Sequence, residues 1–164
     1  MIGVLIVAHQ PLASALVECA RHVYGDAPLQ CAALDVAADE SPAETLVAAR
    51  ALCASVDSGS GVLVLADLFG ATPANVAVQL VRAGRVEALT GVNLPMVLRA
   101  LCYRADAPLD VLLEKASAGA TAGVIKLSST APQNQQPRRD AAALSNPSPD
   151  ETASDALARL RHQQ

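Results

Sequence analysis

Two polar residues, His9 and Asp67, follow strongly apolar segments and are candidates for chemistry. His9 comes after the run Ile2–Ala8, and Asp67 comes after the run Gly61–Ala66. A neutral imidazole is a good nucleophile toward phosphorus. A carboxylate that accepts its Nδ1–H fixes the tautomer and stabilises the positive charge that forms as Nε2 attacks. The pair therefore predicts phosphoryl transfer, provided that the fold brings the two side chains together.

The segment that follows Asp67 contains residues suited to holding a phosphoryl group. Gly70 permits a close approach of the backbone. Thr72 followed by Pro73 predicts a helix start, with Thr72 as N-cap, free backbone amides directed at the site and a hydroxyl as a further donor. The catalytic candidates are thus His9, Asp67 and Thr72, and the candidate phosphoryl-binding loop comprises Phe69, Gly70, Ala71 and Pro73.

Each of these residues also has a purely structural interpretation. A histidine after a strand is commonly a surface residue or a satisfied core residue, and an aspartate can simply cap a turn. A Thr-Pro pair most often marks only the start of a helix. His22 falls in the last turn of a predicted helix, where a cation interacts well with the helix dipole, so we assign it to structure.

The composition excludes several classes of function. A net charge of −4 without a Lys/Arg cluster argues against a nucleic-acid binder, as does an aromatic content of 2%. The sequence has no P-loop, metal-ligand spacing or nucleotide fingerprint, so we predict no cofactor and no metal. The cysteines lack C-x-x-C spacing, which indicates reduced, buried thiols and a cytoplasmic protein. No apolar run approaches the ~20 residues that span a bilayer.

Strand-like and helix-like segments alternate along residues 1–127. Continuous apolar runs predict strands buried on both faces, as in a parallel sheet, and the alternation predicts an α/β three-layer sandwich. Val124–Leu127 follows the preceding helix too closely for an ordinary crossover, so we expect it to pair antiparallel at a sheet edge or with another subunit. The other predicted strands are Ile2–Ala8, Gln30–Val36, Gly61–Ala66 and Val86–Thr90, and predicted helices begin at Pro11, Ser41, Thr72, Asn93 and Asp106.

The chain divides near residue 128. Residues 1–127 carry the core-forming segments. Residues 128–164 form a tail rich in Pro, Gln, Ser and Ala, of which Ser128–Asp150 is expected to be flexible. A short helix is possible over Glu151–His162, with two leucines on one side.

The motifs IGVLIVAH (2–9), GVLVLADLFGATPAN (61–75) and GVNLPM (91–96) follow one another in this order. Together they resemble the enzyme IIA domain of the mannose family of the bacterial phosphoenolpyruvate-dependent sugar phosphotransferase system. The resemblance covers about residues 1–127. The family's phosphohistidine corresponds to His9, its orienting aspartate to Asp67 and its hydroxyl residue before proline to Thr72. Many members have a second glycine where this chain has Ala71.

The resemblance implies a fold, partners and an activity. It implies a mainly parallel sheet with one antiparallel edge strand, exchanged between the subunits of a homodimer; Val124–Leu127 matches that strand. It implies that the phosphocarrier protein HPr phosphorylates His9 at Nε2, and that the phosphoryl group then passes to a histidine of an enzyme IIB partner. Association with a membrane permease complex is compatible with this role, whereas membrane insertion is not expected.

Three functions remain open at the level of the sequence. The first is a phosphocarrier in sugar uptake. The second is a regulatory protein, in which the phosphorylation state of His9 controls a partner outside transport. The third is a metabolic α/β enzyme that uses His9 as a base and Asp67 to orient it, which the lack of a cofactor motif makes the weakest of the three.

Overall fold

The predicted parallel strands form one four-stranded sheet. The computed structural model describes residues 1–25 and 30–129. In these residues the strands are β1 (Gly3–His9), β2 (Cys31–Val36), β3 (Val62–Ala66) and β4 (Val86–Leu89). Their order in space is β2-β1-β3-β4, and every neighbouring pair is parallel. The first and third strands are thus adjacent at the centre of the sheet, as a right-handed winding predicts.

The central strands are apolar on both faces because both faces are covered by helices. Val4 and Ile6 of β1 belong to one buried cluster, whereas Leu5 and Val7 belong to a second cluster on the opposite face. Successive side chains of a strand point to opposite faces, so a strand between two helical layers requires an unbroken apolar run. The predicted three-layer α/β sandwich is confirmed.

All five predicted helices are present in the described residues. They are α1 (Leu12–Tyr24), α2 (Pro42–Val56), α3 (Thr72–Leu80), α4 (Leu94–Tyr103) and α5 (Leu109–Ala122), and a short 3₁₀ turn covers Leu127–Ser129. Helices α1, α4 and α5 pack on one face of the sheet, and α2 and α3 pack on the other. Helices α1 to α4 each follow a strand and run back from the carboxyl edge of the sheet, so their first turns and the strand ends lie at the same edge. Helix α5 follows α4 and runs in the opposite direction, so its last turn lies beside the start of α4.

The capping signals in the sequence form the expected side-chain hydrogen bond at the start of α4 but not at the start of α2. Asn93 is the N-cap of α4, and its side chain accepts a hydrogen bond from the amide of Met96 at 2.9 Å, as an N-cap asparagine should. The sequence Ser41-Pro42-Ala43-Glu44 is typical of a capping box, but Ser41 makes no side-chain capping bond, so the box is not formed. Glu40 accepts a hydrogen bond from the hydroxyl of the buried Thr45 at 2.9 Å instead.

The C-terminal segment differs from its prediction. Helix α5 continues to Ala122, residues 124–126 have no regular secondary structure, and the predicted antiparallel strand is therefore absent from the single chain. Val124 and Ile125 are 82% and 61% exposed. A strand forms only against a free sheet edge, so the strand exchange and the homodimer stay predictions about a second chain. The chain divides into units 1–126 and 127–164, and the predicted helix over Glu151–His162 lies outside the described residues.

The prediction of four buried thiols is wrong for two of them. Cys19 and Cys102 are exposed, Cys31 is partly buried and Cys53 is buried. Cys19 falls between the inward positions of α1, so an apolar neighbourhood in sequence did not mean an inward face. Burial raises the pKa of Cys31 to about 11. Among the described helices, none has the length and apolar character needed to cross a membrane.

Candidate active site

The strand register brings two of the three candidate catalytic residues, His9 and Asp67, into contact. Strands β1 and β3 pair with Val7 opposite Ala66, so His9 and Asp67 leave the sheet side by side at its carboxyl edge. Nδ1 of His9 lies 2.7 Å from Oδ2 of Asp67. The backbone N–H of His9 donates to the same oxygen at 2.9 Å, and the backbone N–H of Leu68 donates to Oδ1 at 2.7 Å.

This arrangement fixes the charge of the carboxylate and the tautomer of the imidazole. Burial by itself raises the pKa of Asp67, but the hydrogen bonds from the backbone and ring of His9 and from the amide of Leu68 together lower that pKa below its usual value. Asp67 is therefore ionised at neutral pH and only accepts hydrogen bonds, so Nδ1 must carry the proton. In the neutral imidazole Nε2 then holds the lone pair, and the side chain of His9 is 50% exposed.

The loop between Asp67 and α3 is a tight turn that needs one glycine. The backbone N–H of Ala71 donates to the carbonyl of Leu68 at 3.2 Å, and Gly70 between them has a φ of +85°. That conformation favours glycine. Ala71 has a φ of −87° and a ψ of 169°, which any residue adopts. The alanine that departs from the family pattern therefore fits without strain.

The helix start lies one residue earlier than predicted. Ala71 is the N-cap of α3, Thr72 is the first helical residue and Pro73 is the second, so Thr72 is not the N-cap. The amide of Asn75 closes the first helical turn on the carbonyl of Ala71 at 3.0 Å. The amides of Thr72 and Ala74 have no acceptor within the helix, and they give this end a partial positive charge.

The loop after β4 is attached directly to the backbone at Asp67. The amide of Gly91 donates to the carbonyl of Asp67, and the amide of Val92 donates to the carbonyl of Ala66, both at 2.9 Å. Asn93 follows as the N-cap of α4. The three sequence motifs, which are far apart along the chain, therefore meet at one edge of the sheet.

An exposed apolar surface beside this loop was not predicted. Leu68, Phe69 and Val78 are 62%, 84% and 65% exposed; we call these three residues the rim surface. Phe69 and Val78 line a groove of about 300 Å³, together with Asn75 and Thr90. Sequence analysis missed Val78, because an apolar residue on a helix is assigned to the core unless the orientation of the helix is known. It also assigned neither Asn75 nor Thr90 to a groove.

The described residues hold no group of three His, Cys, Asp or Glu side chains that is arranged to bind a metal ion. The candidate site instead consists of an oriented imidazole, an ionised carboxylate and the start of a helix, all at one edge of the sheet. These groups are suited to accepting a phosphoryl group on nitrogen. The catalytic roles of His9, Asp67 and Thr72 stay predictions.

Comparison with models of known protein families identifies the family of this chain. The model of EIIA-man, described as the PTS system fructose IIA component, matches residues 3–117. This chain belongs to the EIIA-man family. The match includes all three candidate catalytic residues, His9, Asp67 and Thr72, and all of the three motifs except Ile2. No curated protein sequence matches the chain.

Solved structures of EIIA proteins share the fold. The phosphotransferase system component EIIA from Streptococcus agalactiae is 27% identical, with a TM-score of 0.70 over 79% of this chain and 100% of its own. The mannose/sorbose specific IIA subunit from Enterococcus faecalis is 21% identical, with a TM-score of 0.69 over 80% and 97% of the two chains. The PTS IIA protein associated with the fucose utilization operon from Streptococcus pneumoniae is 23% identical, with a TM-score of 0.65 over 77% and 93%. At these lower identities the second and third likenesses concern the fold alone.

Proposed function

We propose that this EIIA-man protein is a cytoplasmic histidine phosphocarrier of a sugar phosphotransferase system. His9 accepts a phosphoryl group from phospho-HPr on Nε2 and passes it to a histidine of an enzyme IIB. The observation that carries the proposal is the 2.7 Å contact between Nδ1 of His9 and Oδ2 of Asp67. Because the carboxylate is ionised, this contact leaves the Nε2 lone pair free for attack.

The chemical step conserves electrons and protons without a cofactor. The Nε2 lone pair of His9 forms a bond to phosphorus while the bond from phosphorus to the donor nitrogen breaks and returns its electron pair to the donor. The ring of His9 becomes positively charged and keeps its proton on Nδ1. Asp67 stabilises that charge by holding the proton through a charge-assisted hydrogen bond.

The start of α3 would hold the transferred group. A phosphoryl group carries its negative charge on three oxygens, and free amides at a helix N-terminus attract such charge. The amides of Thr72 and Ala74 and the Thr72 hydroxyl are the available donors, and the turn at Gly70 lets the backbone approach closely. Thr72 thereby keeps its proposed role, although it stands one position later in the helix than its sequence predicted.

The rim surface supports docking of the two partner proteins. Phosphoryl transfer between two histidines requires the proteins to exclude water around the reacting atoms. Phe69 belongs to the loop next to Asp67 and is 84% exposed. A partner that buries this side chain would gain about 1.5–3 kcal/mol of binding free energy from the hydrophobic effect. The same rim surface would serve HPr and enzyme IIB in turn, because both must reach Nε2 of His9.

The test is a phosphorylation assay on the full chain. Incubation with phosphoenolpyruvate, enzyme I and HPr should give an acid-labile phosphate on His9, which peptide mapping locates. His22→Gln is the matched control, since His22 lies in the exposed last turn of α1. A phosphate found on His22, or labelling that survives His9→Ala, contradicts the proposal.

A second measurement separates transport from the regulatory alternative. The phosphorylated protein is mixed with enzyme IIB, and the phosphate on each protein is followed over time. Rapid transfer to enzyme IIB supports the transport role. Stable phosphate on His9 in the presence of IIB proteins contradicts the second half of the proposal and favours the regulatory role.

A further inference from the structure

A cleft separate from the groove beside Phe69 lies between α2 and the C-terminal end of α3. It has a volume of about 370 Å³ and is lined by Arg50, Cys53, Gln79, Leu80 and Arg82. Helix α3 begins at the candidate active site, and nine residues of helix extend about 12 Å. The cleft therefore lies a full helix length along α3 from the phosphoryl-binding loop and does not belong to the candidate active site.

Two unpaired guanidinium groups give the cleft a positive charge in an otherwise acidic chain. The ion pairs of the described residues involve His9, Arg21 and Arg85, and neither Arg50 nor Arg82 has a carboxylate partner among those residues. The C-terminal end of α3 contributes a partial negative charge of about one half. Two full positive charges outweigh it, so the cleft favours an anion.

The carboxylate of Asp57 interacts electrostatically with Arg82, but it is already paired with other groups. Asp57 contributes to the electrostatic environment of Cys53, but its Oδ2 is paired with Arg85 at 2.9 Å. Its Oδ1 accepts hydrogen bonds from the amides of Gly59 and Gly61 at 2.8 and 3.2 Å. Asp57 therefore attracts Arg82 without forming an ion pair with it, and its charge is shared with Arg85 and two backbone amides. The guanidinium of Arg82 has no ion-pair partner among the described residues.

The backbone holds the two arginines at fixed positions around the cleft. Arg50 and Cys53 stand one turn apart on α2. Arg82 follows α3 and is held by backbone hydrogen bonds to Val86 at the start of β4, at 2.9 and 2.8 Å. Two elements of the core thus present one guanidinium each, so an anion in the cleft can receive hydrogen bonds from both sides without a change of fold.

We propose that this cleft binds a small organic phosphate. Ligand pockets start at about 300 Å³, so the volume suits a phosphorylated metabolite of a few carbon atoms. The phosphate dianion would take the bidentate hydrogen bonds of Arg50 and Arg82. The amide of Gln79 would bind a hydroxyl of the carbon chain, and Leu80 and the buried Cys53 would contact its apolar part. The site is independent of the proposed role of His9.

The test is a calorimetric titration of the full chain with glucose 6-phosphate, glucose and inorganic phosphate at 0.1 M salt. Glucose 6-phosphate should bind, glucose should not, and inorganic phosphate should bind at least tenfold more weakly. Arg50→Gln and Arg82→Gln should each weaken binding by about ten- to a hundredfold. Arg21→Gln removes an exposed arginine of α1 and should leave binding unchanged.

Two further measurements keep the result specific to the cleft. Glucose 6-phosphate should slow alkylation of Cys53 but not of the exposed Cys19 in the same molecule, as peptide mass spectrometry measures. Binding should also be unchanged in His9→Gln. The proposal is overturned if the double variant Arg50→Gln, Arg82→Gln still binds, if His9→Gln abolishes binding, or if inorganic phosphate binds equally well.

Discussion

Replacing Asp67 with asparagine is the most informative single change at the candidate active site. The carboxylate accepts three hydrogen bonds: Oδ2 takes the backbone N–H and the Nδ1–H of His9, and Oδ1 takes the backbone N–H of Leu68. Asparagine offers one oxygen and one NH₂ group in the same plane. It therefore cannot accept all three bonds in either orientation.

Each orientation of the asparagine side chain in Asp67→Asn brings a donor against a donor. If the amide oxygen faces His9, the NH₂ group meets the backbone N–H of Leu68. If the NH₂ group faces His9, Nδ1 must become the acceptor, so the ring proton moves to Nε2 and the nucleophilic lone pair is lost. The substitution also removes the negative charge that stabilises the ring as it becomes positive.

The size of the effect follows from the charge that is lost. Unit charges about 4 Å apart interact by about 4 kcal/mol at an effective dielectric constant of 20. Each 1.36 kcal/mol corresponds to a tenfold change in rate, so this energy corresponds to about a thousandfold. Because the ring of His9 is half exposed and partly screened by solvent, we expect Asp67→Asn to slow phosphoryl transfer by about 10²–10³-fold.

The assay is a rapid-quench measurement of the transfer rate from phospho-HPr to the full chain. Asp57→Asn is the matched control, since Asp57 also accepts two backbone amides and a side-chain donor but precedes β3 at the opposite edge of the sheet. The control should transfer at the wild-type rate. An Asp67→Asn rate within tenfold of wild type, in a protein as stable as the control, refutes the proposed role of Asp67.

Four further experiments test the candidate active site and other parts of the structure. His9→Ala should abolish labelling by phospho-HPr and leave the circular dichroism spectrum unchanged, because the side chain is half exposed. Phe69→Ser should lower kcat/KM for transfer from HPr by about tenfold at an unchanged unfolding free energy, since Phe69 is 84% exposed. The pKa of Asp67 is lowered in the folded protein, so the ionised carboxylate stabilises the fold above the unfolded pKa of about 3.8, and this stabilisation is lost as the pH falls through the lower folded pKa. Between pH 5 and pH 2, urea titrations should therefore show a smaller loss of unfolding free energy for Asp67→Asn than for wild type. Truncation after Thr130 should leave a phosphorylatable dimer by sedimentation, whereas truncation before Gly123 should give a monomer; a monomeric full chain contradicts the strand exchange.

Local sequence patterns determined the elements of this protein. Continuous apolar runs predict strands buried on both faces, and Pro and Asn near the helix starts predict where the helices begin. These signals depend on the residues of one segment, so they can be read without knowledge of the rest of the chain. The three motifs and their order also placed His9, Asp67 and the loop at Phe69–Pro73 within one family.

Local patterns could not determine how the elements face one another. Cys19 lies in an apolar stretch but on the outer side of α1, and Val78 is apolar but exposed on α3. The predicted strand at Val124–Leu127 is absent from the single chain. A strand forms only when it pairs with the edge of a sheet, and in this chain these residues pair with no edge.

The catalytic geometry is a property of the tertiary structure. His9 and Asp67 are 58 residues apart in the sequence. The sequence supplied an imidazole and a carboxylate at two strand ends, but it did not set the distance between these two side chains. The order β2-β1-β3-β4 made those strands neighbours, and the register of β1 on β3 set the 2.7 Å contact that fixes the tautomer. Packing of helices on both faces selected that order, and packing involves every segment at once.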